Sequence, residues 1–168
     1  PVVVLIGPGN NGGDGLVTAR HLHAWGAHTA IYLCTNRRAD DPKLASLREH
    51  GEDTLLLSED DGLARLREAL SGAHMAVDAV LGTGRSRPIG DTIRDVLLEL
   101  AAAKARRPEL RILALDLPSG LNADTGVVDP VCPTADITVT LGHPKVGLYV
   151  FPGAERTGQV EIVDIGIP

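Results

Sequence analysis

The chain has 168 residues, 43% of them apolar and 23% charged, with a formal net charge of −6. That is the make-up of one soluble globular domain large enough to bury its own core. The acidic balance argues against a phosphate-backbone binder, which needs clustered Lys and Arg. At 2% aromatic residues, few stacking platforms remain for single-stranded nucleic acid.

No apolar run approaches the ~20 residues of a membrane span. Cys34 and Cys132 stand alone, without CxxC or metal-ligand spacing, and fit a reducing, cytoplasmic setting. The chain opens at Pro1 directly on a strand pattern, with no methionine and no signal peptide, which points to a native start lost or processed.

In chain order, apolar runs rich in β-branched residues alternate with helical patterns. Val2–Gly7 reads as the first strand and Asp14–Trp25 as the first helix, followed by a strand at Thr29–Cys34 and a helix at Pro42–His50. A strand at Thr54–Leu57 precedes a helix at Gly62–Leu70, where Leu63, Leu66 and Leu70 share one face. Next come a strand at Met75–Leu81, a helix at Thr92–Ala105, and strands at Ile112–Leu117, Ile137–Leu141 and Val160–Ile165. Most strands are continuously apolar, as parallel strands covered on both faces are. The expected fold is a doubly wound, Rossmann-like α/β three-layer sandwich around a mostly parallel sheet, with the inner strands in the order 3-2-1-4-5.

Ligands of such sheets bind beyond the strand carboxyl ends, where strand order reverses. Three polar, glycine-rich segments occupy such ends. Gly7-Pro8-Gly9-Asn10-Asn11-Gly12-Gly13-Asp14-Gly15 follows the first strand, Asp78 and Gly82-Thr83-Gly84 end the fourth, and Asp116-Leu117-Pro118-Ser119-Gly120 ends the fifth. Any one of them is consistent with a simple turn; three on neighbouring strand ends predict a crevice.

Gly7, Gly9 and Gly12 satisfy G-x-G-x-x-G, a weak signal by itself. Ordinary dinucleotide binding is disfavoured on two grounds. The ribose-binding acid is missing from the end of the second strand, where Cys34, Thr35, Asn36 and Arg37 stand. Asp14 is expected in the first helical turn, as a dipole partner or cap, where it would repel a pyrophosphate ~4 Å away by about 4 kcal/mol. An NADP-dependent oxidoreductase using Arg37 and Arg38 stays open as an alternative.

Pro8-Gly9-Asn10-Asn11-Gly12-Gly13-Asp14-Gly15-Leu16 resembles the signature of the NAD(P)H-hydrate epimerase family, the YjeF N-terminal domain. Val77 to Gly84, Asp116 to Gly126, Ala135 to Thr140, Pro144 to Leu148, Pro152-Gly153-Ala154 and Val163 to Pro168 follow in the family's order. The resemblance spans essentially the whole chain. It implies an isomerase that interconverts the R and S forms of 6-hydroxylated NADH and NADPH, a metabolite-repair reaction.

By the same resemblance Asn10, Asn11, Gly12, Gly13 and Asp14 would line the ligand. So would Gly82, Thr83, Gly84, Arg85, Ser86, Arg87 and Pro88, with Asp116 touching it. Asn11, Asp78 and Ser119 would hold a potassium ion, which suits three oxygen donors; otherwise Asp78 is a capped strand-end carboxylate. Arg85 and Arg87 stand where the family pattern is more apolar, and fit either a phosphate or a solvated loop. A helical segment that precedes the first strand in the family is missing here. The resemblance further implies a homodimer, and fusion to or action beside an ATP- or ADP-dependent dehydratase, whose linker would begin near Ile167-Pro168.

Epimerisation at C6 requires the hydroxyl to leave and water to return on the other face, through a cationic ring. The site needs a group that gives and takes a proton and negative potential near the ring. Asp116 is the expected acid–base group, the other reading being an Asx-turn cap. Lys145, one of only three lysines against thirteen arginines, is a second catalytic candidate that could neutralise Asp116 or contact phosphate, unless it is a solvated loop residue. His143 is a weaker proton carrier. A non-catalytic binding or scaffold module remains the alternative from a different class.

Overall fold

A computed structural model of the protein describes residues 1–35, 41–49, 53–56, 59–84 and 89–166. Seven strands form one sheet: β1 Val2–Ile6, β2 Thr29–Leu33, β3 Asp53–Leu56, β4 Met75–Ala79, β5 Arg111–Leu115, β6 Ile137–Leu141 and β7 Gln159–Val163. Their spatial order is β3-β2-β1-β4-β5-β6-β7, and every pairing is parallel. The expected order of the inner strands therefore holds, and the sheet is parallel throughout.

Four α-helices accompany the sheet: α1 Asn10–Ala24, α2 Pro42–Glu49, α3 Ala64–Gly72 and α4 Asp91–Arg106. Alternate residues of the central strands feed two cores. Val4, Ile6, Ile31 and Leu33 pack with Leu16 and Ala19 of α1 and Leu44 and Leu47 of α2. Val3, Leu5, Ala76, Ile112 and Ala114 pack with Leu66 and Leu70 of α3 and Val96, Leu97 and Leu100 of α4. These central strands thus carry apolar residues on both faces, which is why most of their sequence reads as apolar runs.

Two helix starts differ from the sequence expectation by more than one residue. The helix expected from Asp14 begins at Asn10, with Gly9 as its N-cap and no acidic residue in its first turn. Asp14 is therefore neither a cap nor a first-turn residue. The helix expected from Gly62 starts at Ala64, because Gly62 and Leu63 both take left-handed φ angles, +61° and +60°. Asp60 caps it from upstream, accepting the amides of Arg65 (2.8 Å) and Leu66 (3.0 Å).

The chain order reverses between β1 and β4: β2 and β3 lie to one side, β5 to β7 to the other. Among the described residues, the β5–β6 and β6–β7 connections contain no α-helix. A small third core of Leu117, Leu121, Cys132 and Leu148 packs these connections together beside the switch point.

Candidate functional site

A crevice of about 280 Å³ opens at the carboxyl ends of β1, β4 and β5, lined by Pro8, Gly9, Asn10, Asn11, Asp14, Val80, Leu81, Gly82, Thr83, Gly84 and Asp116. All three segments singled out in the sequence thus converge. The β1–α1 turn can approach β4 because residue 7 is glycine: a Cβ there would lie 1.7 Å from the Val80 carbonyl oxygen. α1 starts immediately after that turn, so its free first-turn amides and the positive end of its dipole lie beside the crevice. Asp14 sits beyond that turn but still lines the crevice, so its carboxylate stays within the site.

Beneath the crevice runs a buried polar chain. Asn11 Nδ2 donates to the Leu81 carbonyl (3.0 Å), and Leu81 N donates to Ser119 Oγ (2.8 Å). Ser119 Oγ donates to Asp78 Oδ1 (2.6 Å), and Ser119 N to Asp78 Oδ2 (2.8 Å). Asp78 and Ser119 are fully buried. Burial pushes the Asp78 carboxyl above its ordinary range, and the hydrogen bonds from Ser119 and Val80 offset this only in part.

Asn11 Oδ1 is buried and has no hydrogen-bond partner. Such an atom costs free energy unless something fills its lone pairs. A buried carboxylate, a hydroxyl and an orphaned amide oxygen, linked in one chain, are a donor set suited to an oxygen-preferring cation. Asn11, Asp78 and Ser119, the residues that the resemblance implies for a potassium ion, are thus joined through Leu81 in one hydrogen-bonded chain.

At the far wall stands Asp116, one residue past β5, with φ +71°. Few residues tolerate this left-handed conformation, Asp and Asn among the best of them. Its Oδ1 accepts the Lys145 ammonium and, more weakly, Leu141 N (3.3 Å). Lys145 Nζ also donates to Thr140 Oγ1 (2.9 Å) and the Leu141 carbonyl (2.8 Å). Both charged side chains are mostly buried, 18% exposed for Lys145 and 15% for Asp116.

Asp116 reaches the crevice; Lys145 lies behind it and does not line it. The lysine is thus an internal counter-ion that orients the carboxylate, not a solvated loop residue. His143 is exposed and also outside the lining.

Of the sequence-derived ligand residues, Asn10, Asn11, Asp14, Gly82, Thr83, Gly84 and Asp116 line the crevice. Gly12 and Gly13 are buried in α1 and do not. Arg85, Ser86, Arg87 and Pro88, like Asn36, Arg37 and Arg38, lie outside the described residues. Sequence reasoning missed Pro8, Gly9, Val80 and Leu81 as lining residues, and Thr140 as a partner of Lys145. Val80 and Leu81 gave no signal because they continue an apolar run. Thr140 did give one: Thr138 and Thr140 alternate as buried polar residues in β6.

Fold and crevice together define a doubly wound α/β domain with an oxygen-rich, carboxylate-bearing ligand site at its topological switch point. The chain belongs to the family of YjeF-related protein N-terminal domains, whose model, "YjeF-related protein N-terminus", matches residues 1–147. It is 41% identical over 99% of its length to the bifunctional NAD(P)H-hydrate repair enzyme Nnr of Moorella thermoacetica. It is 34% identical over 99% of its length to the NAD(P)H-hydrate epimerase of Levilactobacillus brevis. It spans 31% of the former and 73% of the latter. The crystal structure of yeast ynu0 superposes with a TM-score of 0.78 at 26% identity, covering 99% of this chain and 67% of that one.

Proposed function

We propose that this domain is an NAD(P)H-hydrate epimerase, interconverting the R and S epimers of 6-hydroxylated NADH and NADPH. Relatives of that name, similar over nearly the whole chain, support it. The observation that carries the chemistry is Asp116, a carboxylate on the crevice wall held in one orientation by Lys145.

In this reading the hydrated ring lies against Asp116. Asp116, once it has taken up a proton from solvent, gives it to the departing C6 hydroxyl, which leaves as water, and the ring becomes an iminium-like cation. The negative charge then left on Asp116 stabilises that cation. Water returns to C6 on the opposite face and releases a proton, which reaches the Asp116 carboxylate through solvent, so the enzyme ends as it began. Lys145 acts on Asp116 rather than on the ring, as a positioning residue. The first-turn amides of α1 suit the pyrophosphate.

Asn11, Asp78 and Ser119 would hold a potassium ion, supported by the unpartnered Asn11 Oδ1 and the buried Asp78 carboxylate. The ion would supply positive charge that offsets Asp78 and favours the ligand's phosphates. A reducing compartment suits Cys34 and Cys132, both free and buried, with burial raising the Cys132 thiol to about 12. No described helix is long and apolar enough to cross a membrane.

The test is chromatographic separation of the R and S hydrates after incubation with the protein. The expected result is equilibration faster than the spontaneous background, without ATP consumption and without the absorbance change of hydride transfer. An epimer ratio that relaxes only at the background rate rejects the proposal.

A further inference from the structure

The crevice at Asp116 is too small for the whole of its proposed ligand. Small-molecule sites usually span ~300–1,000 Å³ for drug-sized compounds, and a dinucleotide is larger than those, whereas the crevice holds about 280 Å³. The rest of the ligand must extend beyond the lining residues, and the structure offers a continuation on one side.

Asp14 reaches from the crevice toward α2. It lines the crevice, and its carboxylate lies 4.0 Å from Lys43 Nζ. Lys43, the second residue of α2, lines a neighbouring hollow of about 230 Å³ with Leu16, Val17, Arg20 and Pro42. The Asp14–Lys43 pair is long and about half exposed on both sides. Such pairs hold their partners weakly, so the ammonium is free to turn toward a stronger acceptor. Arg20 brings a second cation to the same hollow, between two and three turns along α1 from Asn10 and Asn11.

The end of β2 points the same way. In doubly wound dinucleotide domains this strand end handles the ribose: an acid there accepts the 2′-hydroxyl, whereas a basic residue nearby takes a 2′-phosphate. Here β2 ends at Leu33 and continues into Cys34 and Thr35, with no acid. Thr35 Oγ1 is buried and without a hydrogen-bond partner. The connection that leaves β2 through Thr35 enters α2 at Pro42-Lys43. The strand end itself is thus neutral, and the helix that follows it brings a cation beside Asp41, whose Oδ1 accepts the Lys43 amide (3.0 Å).

We infer that Arg20 and Lys43 form a subsite for the 2′-phosphate of the dinucleotide, so that the phosphorylated hydrate, derived from NADPH, is the preferred substrate. The inference rests on the epimerase reading for its substrate, but the subsite is testable apart from turnover.

Two measurements test it, on the unaltered protein and on Arg20→Ala, Lys43→Ala and the double variant; neither side chain belongs to the buried core. The first is calorimetric titration with adenosine 2′,5′-bisphosphate and with 5′-AMP. The bisphosphate is expected to bind about tenfold tighter, as a charge-assisted phosphate contact warrants, and the double variant to lose that preference. The second is kcat/KM on the two hydrates, whose ratio should move toward the unphosphorylated one by about tenfold. Equal binding of both nucleotides by the unaltered protein, or a preference that survives in the double variant, overturns the subsite. If the unaltered protein turns over neither hydrate, the epimerase reading fails, and the titration alone decides the subsite.

Discussion

Lys145 joins the loop after β6 to the end of β5 through the Asp116 carboxylate, and all three of its N–H donors are taken: by Asp116 Oδ1, Thr140 Oγ1 and the Leu141 carbonyl. An ammonium with every donor committed is a fixed charge, not a roaming one. It orients Asp116 at the crevice and has little left to offer a ligand.

Lys145→Met keeps the apolar stem and removes that charge. The expected outcome is a 10–100-fold fall in kcat with KM little changed, because the variant misplaces the group that reacts and leaves ligand contacts intact. Stability should fall by about 1–3 kcal/mol, since the Asp116 carboxylate loses its hydrogen-bonded cation while mostly buried. Lys145→Arg should recover little, because a planar fork does not fit three acceptors arranged around one nitrogen. Steady-state kinetics with a urea melt checks both; an equal rise in KM would make Lys145 a ligand-binding residue instead.

Asn11, Asp78 and Ser119 make potassium visible in stability. A ligand that binds only the folded state at ten times its dissociation constant adds about 1.4 kcal/mol, or ~3–6 °C in a domain of this size. The midpoint of thermal unfolding should therefore rise in KCl relative to choline chloride at equal ionic strength. Asn11→Ala and Asp78→Ala should abolish the rise. An identical salt response in all three proteins would show that these side chains hold no cation.

The sequence carried the sheet well and the contacts between its loops poorly, for physical reasons visible in particular residues. Strands buried on both faces are largely apolar runs, so β1, β2 and β4 could be read to within two residues, and β6, where Thr alternates with apolar residues, was read at its observed bounds. The start of α1 was set four residues late because Asn10 to Gly13 are poor helix formers; here closure of the crevice overrides local propensity. The ion pair of Lys145 with Asp116 spans 29 residues and one intervening strand, and no spacing rule reports such a contact. Family motifs supplied Asp78 and Ser119 as partners, whereas the orphaned oxygen of Asn11 is a property of the folded chain alone.

Asp60 is a structural carboxylate that sequence reading passed over, and it gives a pH signature. It accepts the Arg65 and Leu66 amides at the start of α3 and the Tyr32 hydroxyl (3.0 Å) from β2. Burial works against its ionisation, but these hydrogen bonds outweigh burial and hold the carboxyl below its ordinary range. A carboxyl with a depressed folded pKa stabilises fully above its unfolded value of about 4 and loses that contribution as pH falls through the folded value. Asp60→Ala should cost about 2–4 kcal/mol at pH 7, since two cap amides and a buried hydroxyl lose their acceptor. Urea unfolding at several pH values should show that difference level down to about pH 4 and shrinking below it. A difference that grows on acidification would contradict this account.

Asp116→Asn separates proton transfer from turn geometry. Residue 116 sits at φ +71°, and Asn adopts that conformation about as readily as Asp, so the swap leaves the turn unstrained. The amide oxygen can still accept from Leu141 N and Lys145, so the loop after β6 stays docked. What is lost is the titrating group and its charge. If Asp116 were only a turn residue, the rate would change little and stability would fall by about 1–3 kcal/mol for the lost charge pair with Lys145. As the acid–base group it should cost 10²–10⁴ in kcat, the usual contribution of a positioned proton donor, while folding survives by circular dichroism and thermal melt. Affinity for the hydrate should change much less, because the carboxylate interacts most strongly with the cationic ring of the transition state. Asp116→Ala would blur this, since Ala at positive φ adds backbone strain to the chemical loss. Wild-type turnover in a folded Asp116→Asn protein would exclude Asp116 as the proton carrier.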